Sequence, residues 1–142
     1  NELLTIASLV EKEGAKTEDR KLIAGVFYNR LNLGMPLQSN IAILYAEGKL
    51  GQKISLADDV AIDTAIDSPY NVYTNIGLMP GPVDSPSLDA IESSINQTKS
   101  DNLFFVANVQ DGKVYFAATK EEHDKNVEEH INSKLKQSNN AN

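Results

Sequence analysis

The chain has 142 residues, no cysteine and a net charge of −7 from 13 basic and 20 acidic side chains. That length suits one domain with a substantial core, and 41% apolar residues with five Tyr and four Phe exclude a disordered chain. The acidity argues against nucleic acid, which calls for a basic patch, and the missing cysteines exclude disulfides, thiol catalysis and cysteine metal sites. No apolar run approaches the ~20 residues a bilayer span needs. The opening Asn1-Glu2-Leu3-Leu4 has no basic n-region before it and reads as the start of a domain excised from something longer.

Residues 2 to 13 read as a helix, with Leu3, Ile6, Ala7 and Val10 at helical spacing and Gly14 as its stop. Thr17 is the expected N-cap of a second helix, with Leu22, Ile23, Val26, Phe27 and Leu31 on one face and Gly34 and Pro36 closing it. Ser39 or Asn40 is expected to cap a short helix over 41 to 45, and the Ser55/Asp58 spacing predicts another. From Asp67 to Pro86 the periodicity fails amid Ser68-Pro69-Tyr70-Asn71, Gly77 and Pro80-Gly81-Pro82. An irregular stretch of that length inside a compact domain is uncommon and usually functional or disordered, and Tyr70, Tyr73, Ile76 and Leu78 argue against disorder. Ser85 and Pro86 predict the N-cap and first residue of a helix that turns Leu88, Ile91 and Ile95 inward. Residues 103 to 109 and 113 to 118 read as a hairpin around Gln110-Asp111-Gly112. Thr119 and Glu122 form a capping box for a last helix with Val127, Ile131 and Leu135 inward, and residues 136 to 142 are a polar, frayed tail. The expected class is α+β: one mostly helical domain over residues 1 to 135, with a small antiparallel hairpin and a long irregular segment.

Drawn at about 100° per residue, the first helix places Glu11 between Ala7 and Leu4, inside the apolar face, and Glu13 on its border. A buried carboxylate has a raised pKa, and a raised-pKa Glu in an apolar pocket is a general acid at neutral pH. The alternative is a helix-end Glu that turns to solvent or pairs with an arginine such as Arg20 or Arg30. Two residues apart on a helix, Glu11 and Glu13 face different ways and do not make a catalytic pair. No other carboxylate is placed opposite Glu11 by the sequence, so a glycosidase built on it finds its nucleophile elsewhere, for instance in the substrate.

The run Leu4-Thr5-Ile6-Ala7-Ser8-Leu9-Val10-Glu11-Lys12-Glu13 resembles the opening of the catalytic domain of endolytic murein transglycosylases, the YceG-like family. The resemblance continues through Ile23-Ala24-Gly25-Val26-Phe27-Tyr28-Asn29-Arg30-Leu31, Gly34-Met35-Pro36-Leu37-Gln38-Ser39 and Asp67-Ser68-Pro69-Tyr70-Asn71-Val72-Tyr73. It runs on through Gly77-Leu78-Met79-Pro80-Gly81-Pro82 and Leu103-Phe104-Phe105-Val106-Ala107 to Glu122-His123, covering residues 3 to 131 in one order. It implies a single-pass protein of the bacterial cell membrane, its extracytoplasmic part a LysM-like module followed by this catalytic domain, with the anchor outside this chain. It implies non-hydrolytic cleavage of the β-1,4 bond between N-acetylmuramic acid and N-acetylglucosamine in peptidoglycan, leaving a 1,6-anhydromuramyl end, without a cofactor. The family's catalytic Glu is the first of its Val-Glu-Lys-Glu run, which here is Glu11. Cell-wall synthases and division or elongation proteins are the partners implied beside the glycan itself.

Other residues carry over as substrate contacts: Glu13, which would position Glu11 or its proton; Gln38 and Ser39 of the Leu-Gln-Ser/Thr run; and Ser68, Tyr70, Asn71 and Tyr73, the tyrosines as sugar platforms. Asn40 stands where the family usually has Asp; it keeps an acceptor but loses the charge. The irregular segment from Asp67 to Pro82 is expected to line the cleft. His123 and His130, seven apart, read as structural, because a zinc site needs three or four ligands. Two alternatives stand beside the transglycosylase: a hydrolytic muramidase with Asp63 or Asp67 as its second carboxylate, and a peptidoglycan-binding or scaffolding module that does not cut.

Overall fold

The computed structural model describes residues 1–50, 62–108 and 110–132. Helix α1 spans Glu2–Glu13 and stops at Gly14, whose N–H still reaches Val10 O. Its middle, Thr5 to Val10, is wholly buried. Helix α2, Thr17–Leu33, begins one residue earlier than expected. Thr17 lies within the helix, and its hydroxyl donates to the Asp89 carboxylate instead of capping (2.9 Å). Gly34, at φ +68°, closes α2 with its own N–H on Leu31 O and that of Met35 on Arg30 O, the paired bonds of a Schellman stop. Helix α3, Asn40–Ala46, follows after the extended segment 35–39.

Residues 62 to 87 carry no helix or strand. Their order comes from side-chain bonds to backbone, chiefly at Asn71, which is fully buried. Its Nδ2 donates to Thr64 O and Ile66 O, and its Oδ1 accepts from the N–H groups of Tyr73 and Thr74. One Asn thus satisfies four backbone groups that a strand ladder would otherwise serve.

Helix α4 spans Leu88–Ile95, and its N-cap is Ser87, not Ser85; the Ser87 hydroxyl accepts from Ala90 N–H. The expected inward face is also reversed. Leu88 and Ile95 are exposed, while Ala90, Ser93 and Ser94 are buried. Small side chains allow α4 to lie close against both α1 and α2, with the Ser94 hydroxyl returned to Ala90 O (2.8 Å). The chain beyond α4 crosses α2 closely enough that a Cβ on Gly25 would stand 2.7 Å from Thr98 O. Asn29 Nδ2 holds the same stretch through the carbonyls of Ser100 and Asn102.

Strands β1, Phe104–Ala107, and β2, Val114–Ala117, form the expected antiparallel hairpin, with Phe105 opposite Phe116. Helix α5, Lys120–Val127, is capped by Thr119, which accepts from Glu122 N–H, and passes into a π-helical turn over Glu128–Asn132 that buries Ile131. The core gathers Ile6, Leu9, Val10, Ile23, Phe27, Leu37 and Val72 between α1, α2 and the irregular segment, and Phe105 meets Phe27 edge-on beneath the hairpin. The class is α+β, as the pattern of elements predicts. The Ser55/Asp58 helix, Val109, Leu135 and the polar tail fall outside the described residues. No described helix is long and apolar enough to cross a membrane.

Candidate active site

A cavity of about 380 Å³ lies between the end of α1, the start of α3, Tyr73 and the hairpin. That volume is in the range that takes a small ligand. Its walls include Glu13, Gln38, Asn40 and Tyr73, four of the residues singled out in the sequence, together with Lys12, Arg30, Phe105, Asn108 and His123.

Glu13 is the last residue of α1. The buried Ser39 donates its hydroxyl to Glu13 Oε1 at 2.7 Å. Ser39 is the backbone N-cap of α3 but makes no side-chain cap bond, so its hydroxyl is spent on the carboxylate across the cavity. Gln38, just before it, has φ +54°, the sole non-glycine residue with positive φ among the described residues. That conformation costs roughly 1–2 kcal/mol in an L-residue and clusters at functional sites. It is held by the Gln38 N–H on Val72 O and by the burial of Leu37 beside it. Asn40 opens α3, and its Oδ1 accepts from the Tyr73 hydroxyl. Of these three consecutive residues, Ser39 bonds the end of α1 while Gln38 and Asn40 line the cavity beside it.

Arg30 forms the floor. It is almost fully buried, with Nε on Leu103 O (2.6 Å) and Nη1 on Pro36 O (2.7 Å), and its guanidinium lies 4.9 Å from the centre of the Phe104 ring. Burial lowers its pKa, partly offset by Tyr73; an arginine stays a cation regardless. His123 stacks on the Phe104 ring at 5.1 Å, its Nδ1 buried without a hydrogen-bond partner among the described residues. Burial, helped by the charges of Lys120 and Arg30, lowers its pKa and keeps the ring neutral.

Glu11 is elsewhere. It points to the α4 side of α1, where its Oε2 accepts from the Ser87 hydroxyl at 2.5 Å and from the Ser87 N–H at 3.1 Å, and its Oε1 is 3.5 Å from Arg20. Arg20 also donates to Gly14 O and to Asp89. The raised pKa expected from the wheel is reversed: the Ser87 hydroxyl above all, then the Ser87 N–H and Arg20, hold the Glu11 carboxyl below its ordinary value, against the opposing effect of burial. The wheel found the right face, but that face meets a helix N-terminus and an arginine instead of an apolar pocket. Glu11 is not among the residues lining the cavity.

Ser68, Tyr70 and Asn71 do not reach the cavity either. Ser68 Oγ accepts from Tyr70 N–H, Asn71 is the internal brace described above, and Tyr70 packs on Tyr45 with ring centres 4.6 Å apart. The segment contributes Tyr73 to the site and scaffolding otherwise. Asp63 and Asp67 are exposed and away from the cavity, leaving Glu13 as its one carboxylate among the described residues.

Sequence reasoning missed Arg30 and His123 as site residues; the helix pattern gave Arg30 no distinction, and His123 reads as structural. It also missed Asp84. Both Asp84 carboxyl oxygens are buried without a hydrogen-bond partner, at a second cavity of about 390 Å³ that shares Lys12 with the first. Burial raises the Asp84 pKa, the neighbouring Glu11 charge adds to the rise, and Lys12 opposes it.

The site is thus a carboxylate at a helix end, held by Ser39, beside a buried arginine. The model of the YceG-like family matches residues 1–129, so the chain belongs to the YceG-like family. It is 85% identical over 135 residues to the endolytic murein transglycosylase of Streptococcus pneumoniae serotype 2 (strain D39), covering 95% of this chain and 24% of that protein. It is 43% identical over 134 residues to the endolytic murein transglycosylase of Bacillus subtilis (strain 168), covering 94% of this chain and 36% of that protein. The 2.6 Å crystal structure of a yceG-like protein from Listeria monocytogenes superposes with a TM-score of 0.74 at 46% identity, over 87% of this chain and 38% of that one. The chain therefore spans about a quarter to a third of the length of the curated relatives it matches.

Proposed function

We propose that this domain cleaves the glycan strand of peptidoglycan between N-acetylmuramic acid and N-acetylglucosamine, with Glu13 as its acid and base. The observation that carries the reading is Glu13 itself, the one carboxylate among the described cavity residues, fixed by Ser39 and flanked by Gln38, Asn40 and Tyr73. The names of the relatives point to the same bond class. The resemblance assigns the role to Glu11; the hydrogen bonds of Glu11 to Ser87 and its place outside the cavity are what support Glu13 in its stead.

In this mechanism the arriving sugar displaces water from Glu13, and desolvation favours the protonated form that a general acid needs. Ser39 fixes one carboxyl oxygen, Oε1. Glu13 protonates the glycosidic oxygen as the bond from C1 of the muramyl residue breaks. The muramyl 6-hydroxyl then attacks C1, Glu13 takes back the O6 proton, and a 1,6-anhydro end forms with no water consumed. An intramolecular nucleophile has a high effective concentration, which compensates for the missing second carboxylate.

Asn40 favours a second reading. A neutral amide sits where the family usually has a carboxylate, so positive charge developing at C1 lacks a counter-charge there, which fits a module that binds the strand without cutting it. The products separate the two. Mass spectrometry of purified uncrosslinked strands after digestion shows 1,6-anhydromuramyl ends for the transglycosylase and reducing ends for the hydrolase. Binding without cleavage, by a folded domain, marks the binding module and sinks both cleavage readings. The site of action under either reading is the bacterial cell envelope, with a membrane anchor and synthase or division partners supplied outside this chain.

A further inference from the structure

The Arg30 corner of the cavity is short of one negative charge. Arg30 is 5% exposed and carries a permanent cation, yet its protein acceptors are all neutral: Leu103 O, Pro36 O and, at 3.4 Å, Gln38 Oε1. Its second η nitrogen, Nη2, makes no hydrogen bond, and no described carboxylate forms an ion pair with it. A buried charge is costly unless it is paired. Glu13, in the same cavity, is bonded to Ser39 instead. His123 stands beside Arg30 as a neutral ring because burial and nearby cations, Arg30 among them, lower its pKa. The chain as a whole carries −7, which repels anions. A corner that attracts them is therefore local and built.

We infer that this corner is an anion subsite, in which Arg30 Nη2 takes a carboxylate on the lactyl side of the muramyl residue. The inference rests on the glycan-cleaving reading and deepens it. Muramic acid differs from glucosamine by its 3-O-lactyl group. In strands stripped of stem peptide the lactyl carboxylate is free; in intact strands it is an amide, and the nearest carboxylates are those of the peptide. An arginine fork binds either with planar, charge-assisted hydrogen bonds. Such a contact fixes which sugar of the alternating strand lies beside Glu13, and hence which of the two glycosidic bonds is cut.

Binding of small probes to the wild-type domain tests it without turnover, since none contains the scissile bond. The probes are N-acetylmuramic acid, N-acetylmuramoyl-L-alanyl-D-isoglutamine and N-acetylglucosamine, followed by the NMR titration of the His123 imidazole. At least one of the carboxylate-bearing probes should bind roughly tenfold or more tightly than N-acetylglucosamine, weaken as salt rises, and raise the pKa of His123. Preference for the first probe names the lactyl carboxylate, and preference for the second names the peptide's. Arg30→Lys, which keeps the charge and loses the fork, should reduce the preference several-fold in a domain whose melting temperature is checked alongside. Equal affinity for all three sugars with an unmoved His123 titration overturns the subsite. Failure of the cleavage reading shows separately, as a folded domain that binds strands and leaves them whole.

Discussion

Glu11→Gln should cost stability before it costs chemistry. The carboxylate accepts two bonds from Ser87, at 2.5 and 3.1 Å, and faces Arg20 at 3.5 Å. Hydrogen bonds to a charged group contribute about 1.5–3 kcal/mol and neutral ones about 0.5–1.5, so replacing the charge loses roughly 1 kcal/mol per bond. The Arg20 pair is part-exposed and adds no more than about 1 kcal/mol. The expected loss is about 2 kcal/mol, or some 6–8 °C in Tm for a domain of this size. The pH dependence carries a sign. Because the folded pKa of Glu11 lies below its ordinary 4.5, the stability it contributes is present above that pH and is lost as pH falls through the folded value. Urea melts of wild type and Glu11→Gln should therefore differ at pH 7, and the difference should shrink as pH falls below 4.5 through the folded value. The Glu11→Gln/Ser87→Ala double variant should lose less than the two singles summed. Equal melts at pH 7 would refute this reasoning, and equal melts with lost cleavage would return Glu11 to the chemistry.

Asp84→Asn should stabilise the domain at neutral pH. The raised Asp84 pKa makes its contribution complete below the unfolded pKa and lost as pH rises through the folded one, so the gain over wild type should appear in melts above that value and vanish in acid. Gln38→Gly should relieve the positive φ and raise stability by about 1 kcal/mol in a denaturant titration, while lowering kcat for strand cleavage because the side chain beside Arg30 is gone. Gly25→Ala drives a methyl group to 2.7 Å from Thr98 O and should cost about 1–3 kcal/mol, read as a fall in Tm; an unchanged Tm would mean that the crossing chain moves freely.

The helices of this chain are legible because their signals are local. Gly14 and Gly34 stop α1 and α2 where expected, and Thr119 caps α5. Side chains that serve two elements at once are harder to read. Ser39, read as a helix cap, and Ser87, which caps α4 in place of the expected Ser85, each give a hydroxyl to a glutamate of α1. Apolar periodicity pointed Leu88 and Ile95 inward, yet close packing on two helices selects Ala90, Ser93 and Ser94 instead. The same competition sets the surroundings of Glu11. A wheel reports which face of α1 is buried; whether that face meets an apolar pocket or an arginine and a helix N-terminus is a tertiary fact. Gln38, Asn40 and Tyr73 were found through the resemblance, whereas Arg30 and His123 enter the site through the pairing of the hairpin with α2 and α5, which no local pattern encodes.

The most direct measurement is cleavage of purified glycan strands by Glu13→Gln and Glu11→Gln side by side, each held below its own melting temperature, with products read by mass spectrometry. Cleaved internal fragments from Glu11→Gln, and intact strands from a folded, strand-binding Glu13→Gln, are what the cavity geometry predicts. Wild-type cleavage by Glu13→Gln, or a folded Glu11→Gln that binds strands and leaves them whole, would contradict it.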